Sequence, residues 1–204
     1  MVVAVLGSNG QLGQTLRYVA AKHDNLQFHF FDASQIDITK KDSIVSAWEK
    51  LQPDFCINAA AYTAVDLAES EVDKATRINV DGVRNLVAVC LQYQTTLCHI
   101  STDFVFDGSK DSPYTESDEP HPLGVYGQTK YNGELEITQA MQRYFIIRTS
   151  WLYSGFGNNF MKTMLRLEQE RSELNIVDDQ IGTPTHAIDL AELLCTIIES
   201  DSRN

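Results

Sequence analysis

Between an apolar run and an amphipathic run, this chain places Gly7-Ser-Asn-Gly-Gln-Leu-Gly13, with glycine at every third position. The preceding Val2-Val-Ala-Val-Leu6 is continuously apolar and rich in β-branched residues, which suits a parallel strand buried on both faces. After the loop, Leu12, Leu16, Val19 and Ala20 recur at helical spacing. A strand that turns through glycines straight into a helix belongs to α/β folds. The glycines let the backbone turn tightly and approach a pyrophosphate, and the helix N-terminus offers N–H groups and the positive end of its dipole. The spacing is Gly-x-x-Gly-x-x-Gly, not the commoner Gly-x-Gly-x-x-Gly, so a plain structural turn is the competing reading.

The alternation continues. Leu26 to Phe31 reads as a second strand ending in Asp32. An acid about 20 residues past such a loop accepts hydrogen bonds from adenosine ribose hydroxyls and repels a 2′-phosphate, favouring NADH over NADPH. A turn-forming Asp is the equal alternative. Thr39-Lys-Lys-Asp42 resembles a capping box, Ile44, Trp48 and Leu51 line one helix face, Pro53 breaks the helix, and Phe55-Cys-Ile57 is a third strand. The small side chains of Ala59, Ala60 and Ala61 then allow a flat ligand to lie against the backbone. Residues 73–92 read as one long helix whose apolar face is interrupted by Asn79, and 95–100 as a fourth strand ending in Ser101-Thr102-Asp103. A polar loop spans 108–122, a helix runs from Tyr126 to about Gln142, and Tyr144 to Ile147 is a fifth strand. Beyond it lie a helix over 160–170, a short strand over 174–177, a turn over 182–185 and a helix over 188–198. Strands alternating with helices predict one doubly wound parallel α/β sheet, Rossmann-like.

Composition narrows the function. The formal net charge of -12 argues against nucleic acid or an anionic membrane surface, so a phosphorylated ligand must be held by local devices. Cys56, Cys90, Cys98 and Cys195 lack metal-ligand spacing and read as reduced core residues of a cytoplasmic protein. No apolar run approaches the roughly 20 residues of a membrane span. Asp66, Glu69, Glu71 and Asp73 read as a solvated helix start; no metal site is expected. The five histidines, His23, His29, His99, His121 and His186, are scattered without triad spacing and read as structural or surface residues.

Tyr126 and Lys130 stand one helical turn apart on one face. A fixed ammonium about 4 Å from the phenol is worth ~4 kcal/mol at an effective dielectric near 20. That would draw the tyrosine down by up to ~3 units from its usual value of ~10, toward the range of a working acid. Thr102, at a strand's carboxyl end, supplies a hydroxyl able to donate to a carbonyl that accepts a hydride.

In one order, the glycine loop, Asn58-Ala-Ala-Ala-Tyr-Thr-Ala-Val-Asp66, Ser101-Thr-Asp-Phe-Val-Phe-Asp-Gly108, Tyr126-x-x-x-Lys130, Arg148-Thr-Ser-Trp151 and Gly157-Asn-Asn-Phe160 resemble the extended short-chain dehydrogenase/reductases. Within them they are similar to the reductases of dTDP-4-keto sugars. The resemblance covers the whole chain. It implies NAD(P)H-dependent reduction of the C4 ketone of dTDP-4-dehydro-L-rhamnose to dTDP-L-rhamnose, with a homodimer compatible. It further implies that Tyr126 donates the proton, that Lys130 lowers its pKa and holds the nicotinamide ribose, and that Thr102 orients the ketone. Gly7, Asn9, Gly10, Gln11, Leu12 and Gly13 would wrap the pyrophosphate, while Asp32, Asp37 and Ile38 flank the adenosine half. Ala59, Ala60, Ala61, Tyr62 and Thr63 would line the cofactor. Thr63, Thr102, Asp103, Tyr126 and Trp151 would meet the dTDP-sugar. Phe104 departs from the family, which usually carries Tyr there.

Two other functions fit the same motifs. An epimerase or dehydratase would recycle its cofactor internally, and a non-catalytic regulatory subunit similar to that of methionine adenosyltransferase would not turn over at all. The resemblance also predicts a longer protein: residues 1–204 would be the NAD(P)-binding domain, those from about 151 would contribute to the sugar-nucleotide side, and most of a smaller C-terminal lobe would be missing. Ile188, Leu190, Ala191, Leu193, Leu194, Ile197 and Ile198 form an apolar surface wider than one packing stripe needs. An exposed apolar patch is therefore expected beside residues 188–198.

Overall fold

Val3 and Val5 pack into one hydrophobic cluster while Ala4 and Leu6 pack into another, which is why the first strand is apolar at every position. The computed structural model describes residues 1–201. Its main sheet has five strands, β1 (Val2–Leu6), β2 (Gln27–Phe31), β3 (Phe55–Asn58), β4 (Thr96–Thr102) and β5 (Tyr144–Thr149), in the order β2-β1-β3-β4-β5. All pairings are parallel. One face is covered by α1 (Gln11–Val19) and α8 (Ala187–Asp201), the other by α2 (Lys41–Leu51), α5 (Gly82–Tyr93) and α6 (Val125–Ala140). The doubly wound sheet expected from the sequence is thus what the chain forms.

Three local expectations differ. Lys40, not Thr39, precedes α2, and it makes no capping bond. Thr39 instead donates its hydroxyl to Asp37, which satisfies the side chain two residues too early for a box. The long helix over 73–92 is interrupted: after the short α3 (Val65–Ala68), α4 (Val72–Thr76) passes through a π-helical turn at Arg77–Asp81 into α5. Residues 174–177 form no strand, because no neighbouring strand pairs with them, and Val177 stays 67% exposed. A parallel pair forms instead between β6 (Leu152–Tyr153) and β7 (Thr185–His186), flanking α7 (Phe160–Glu170).

The last helix is better covered than its composition suggests. Leu190, Ala191, Leu194, Cys195 and Ile198 are buried in the cluster that α8 shares with α1 and one face of the sheet. Leu193 alone of its large apolar residues is exposed, at 48%. His23 pins this helix through Glu199 Oε1 (3.0 Å) and Glu192 Oε2 (2.9 Å). Apolar residues stand open on α7, where no residue is buried and Phe160 and Leu165 are exposed. All four cysteines are buried, and none of them forms a disulfide.

Candidate active site

The strand order reverses at β1, with β2 on one side and β3 on the other. Open α/β sheets bind ligands at the carboxyl ends of strands beside such a reversal. Gly7 stands there with φ +76°, and a Cβ on it would lie 2.7 Å from the backbone of Ala59 and Ala60. Glycine is therefore what lets the loop after β1 touch the segment after β3. Gly10 precedes α1 without any side-chain cap, so the first-turn N–H groups of Gln11, Leu12 and Gly13 are not consumed by one. Only their backbone is on offer. The Leu12 side chain is in the core, and Gln11 donates Nε2 to the Leu152 carbonyl (2.9 Å) and accepts from Asn159 Nδ2 (2.7 Å).

Asp32 closes a turn, one of its two readings, and also reaches the glycine loop. Its Oδ1 closes a turn by accepting from the Ser34 amide (2.8 Å) and hydroxyl (2.6 Å), while Oδ2 accepts from Asn9 of the glycine loop (3.0 Å). The Ser34 hydrogen bonds hold its pKa below the usual carboxylate range, so it is charged at neutral pH. Asp37 is engaged by Thr39 and by Lys40 at 3.2 Å. Ile38 is buried under α5, so its side chain belongs to the core and only its backbone borders the surface. Ala59, Ala60 and Ala61 are half-buried along the carboxyl edge. The Tyr62 amide donates to Asn79 Oδ1 (2.9 Å) and its carbonyl accepts from Asn79 Nδ2 (3.1 Å), which fixes the path of the segment; Thr63 beyond it is exposed.

A second group gathers at the carboxyl end of β4. The Thr102 hydroxyl donates to Asp103 Oδ1 (3.0 Å) and accepts from the Phe104 amide (3.2 Å). Helix α6 presses against this turn because Gly127 has no side chain: a Cβ there would drive into the Phe104 carbonyl oxygen. The N-terminus of α6 is held by Glu69, which accepts from the Val125 amide (2.8 Å). Tyr126 consequently lies edge-on to the Phe104 ring, centroids 5.5 Å apart, beside Thr102.

Lys130 does not act on Tyr126 as the sequence suggested. Burial pushes Tyr126 above its ordinary pKa; the neighbouring Thr102 side chain opposes this and the charge of Asp103 adds to it. The Lys130 ammonium donates to the Ile100 carbonyl (2.7 Å), with His99 Nε2 at 3.4 Å. Burial brings Lys130 down to about 8, against the pull of Glu134.

Beneath the pair runs a buried polar row that the sequence reading missed. Arg148 on β5 donates to both oxygens of Glu134 on α6 (3.0 and 2.6 Å), and Asn58 meets His99 across β3 and β4 at 3.0 Å. Glu134 follows Lys130 by one turn, a spacing that could have flagged it. His99, polar within an apolar strand, carried a weaker signal. Trp151, with φ +46°, is 44% exposed and its ring centroid is 6.4 Å from that of Phe160.

Comparison with known proteins supplies the relationship. The family described as RmlD substrate binding domain matches residues 1–204. The dTDP-4-dehydrorhamnose reductase of Aggregatibacter actinomycetemcomitans is 43% identical over 195 residues, covering 96% of this chain and 66% of that protein. The chain thus spans just under two thirds of that relative's length. The crystal structure of a dTDP-4-dehydrorhamnose reductase from Clostridium acetobutylicum superposes with a TM-score of 0.94 at 39% identity, covering 99% of this chain and 71% of that one. That of the Bacillus anthracis dTDP-4-dehydrorhamnose reductase, solved in complex with NADP, gives 0.92 at 40% identity, covering 97% and 70%.

Proposed function

This chain belongs to the RmlD substrate binding domain family, and we propose that it serves the NAD(P)H-dependent reduction of dTDP-4-dehydro-L-rhamnose to dTDP-L-rhamnose. The observation that carries this reading is positional. The glycine loop and the Thr102, Tyr126 and Lys130 group open on the same, carboxyl, edge of one sheet. Residues 1–204 would form the dinucleotide-binding domain, with those from about 151 on the sugar-nucleotide side.

The residues fit a nicotinamide dinucleotide. An uncapped helix N-terminus and a loop whose glycine admits no Cβ suit a pyrophosphate, and charged Asp32 at the loop's mouth suits ribose hydroxyls. When bound, the reduced nicotinamide supplies the hydride. The rest falls to this chain. Tyr126, protonated throughout the neutral range, donates its phenolic proton to the C4 oxygen as the ketone becomes an alcohol. Thr102, beside Tyr126, orients the same oxygen. Lys130 fixes the floor of the site and supplies charge. Asp103, Thr63 and Trp151 would meet the sugar nucleotide, and Asp32 would favour NADH over NADPH. Among the described residues no helix is long and apolar enough to cross a membrane, and a place in the cytoplasm, feeding cell-surface polysaccharide synthesis, is part of this proposal.

Net oxidation of added NADH with dTDP-4-dehydro-L-rhamnose tests the proposal. An epimerase or dehydratase would convert a sugar with no net loss of NADH, and a regulatory subunit would convert none.

A further inference from the structure

The hydrogen bonds beneath the catalytic pair determine one another. The Ala60 amide can only donate, so the Asn58 atom that receives it at 3.2 Å is the oxygen. The other arm of the amide, Nδ2, then faces His99 Nδ1 at 3.0 Å. Nδ2 can only donate, so Nδ1 accepts and carries no proton. His99 is 1% exposed, and burial and the neighbouring Lys130 keep its ring neutral. Its single proton is therefore on Nε2, the atom 3.4 Å from Lys130 Nζ.

We propose that His99 is a positioning residue for Lys130: Asn58 holds it as the Nε2–H tautomer, and that N–H disfavours the ammonium form of Lys130. An N–H set against an ammonium is donor against donor, whereas an amine presents a lone pair to it. The Ile100 carbonyl accepts from Lys130 in either state. The other charged or titratable groups around the pair are Glu134 on α6 with its partner Arg148 from β5, Asp103 after β4, and Tyr126 one turn earlier on α6. Of these Glu134 favours the ammonium, and Arg148 already holds both of its oxygens. His99 thereby keeps the Lys130 proton easy to release. The consequence for catalysis rests on the reductase reading; the geometry does not.

Nitrogen NMR of the histidine-labelled chain, above the pH at which Lys130 titrates, reads the tautomer directly. A bare Nδ1 and a protonated Nε2 are expected at His99, and a protonated Nδ1 overturns the proposal. Asn58→Ala then removes the donor that fixes the ring, freeing Nε2 to accept from Lys130. The Lys130 midpoint, followed by carbon NMR of the lysine ε-carbon, should rise by about one pH unit, the shift that one hydrogen bond of ordinary net strength can produce. An unchanged midpoint in a folded Asn58→Ala protein overturns the proposal as well. If that variant fails to fold, the measurement on the unaltered chain decides. Neither reading involves cofactor or turnover, so either can fail while the reductase proposal stands, and the reverse.

Discussion

Arg148 grips Glu134 with Nε on one carboxylate oxygen (3.0 Å) and Nη2 on the other (2.6 Å), joining β5 to α6 one turn below Lys130. The Glu134 side chain is 3% exposed and that of Arg148 25%. Removing one partner of such a pair leaves a charge stranded in the interior. Arg148→Met should destabilise the fold by about 2–4 kcal/mol in urea denaturation, somewhat below the range for fully buried pairs because Arg148 is partly wet. A loss under half that would mean the pair is a surface contact in effect.

Lys130 offers the opposite case, a residue kept at the expense of stability. Its folded pKa is about 8, below the unfolded value of 10.5. Between those two values the unfolded chain binds the extra proton, so stability should rise with pH across that window. Below about 8 the charged, buried lysine weighs fully against folding. Lys130→Met should therefore stabilise the chain at neutral pH by about 1–3 kcal/mol, an advantage that shrinks as pH rises toward the unfolded value, while abolishing activity. Denaturation curves at neutral and alkaline pH check this; a variant less stable at both would contradict it.

Asp32 should set the cofactor preference. On the proposed reading its charged carboxylate, held by Ser34 and Asn9, would repel a 2′-phosphate. Titrations should show NADH bound more tightly than NADPH, with Asp32→Ala narrowing the gap. NADPH bound tenfold tighter by the unaltered protein would sink the assignment.

Phe104 is exposed at 47% and lies edge-on to Tyr126. Phe104→Tyr restores the hydroxyl that the resemblance leads one to expect. If it reaches the sugar, KM for the nucleotide sugar should fall roughly three- to tenfold with kcat little changed, the yield of about one hydrogen bond. An unchanged KM would remove Phe104 from the sugar side.

The sequence announced what is local. The strand, the glycine turn and α1 lie within 20 consecutive residues, and each strand's apolar run signals burial by itself. What it hid was pairing at a distance. Asn58 and His99 are 41 residues apart, and neither residue type alone says that they meet. Tyr126 and Lys130 were legible as neighbours, yet the direction of the ammonium depends on the Ile100 carbonyl, 30 residues upstream of Lys130. The expected strand over 174–177 failed for the same reason: a strand exists only with a partner, and Thr185 and His186 took the one at β6. The final helix read as overly apolar because the sequence does not show that α1 and the sheet share it.

A single-turnover experiment, with protein and NADH in excess over dTDP-4-dehydro-L-rhamnose so that slow transfer is still read, bears hardest on this account. It predicts loss of one NADH for each dTDP-L-rhamnose formed, and a rate roughly 10²–10⁴ lower in Tyr126→Phe with NADH affinity little changed. Sugar converted without loss of NADH, or Tyr126→Phe transferring hydride at near the full rate, would contradict it.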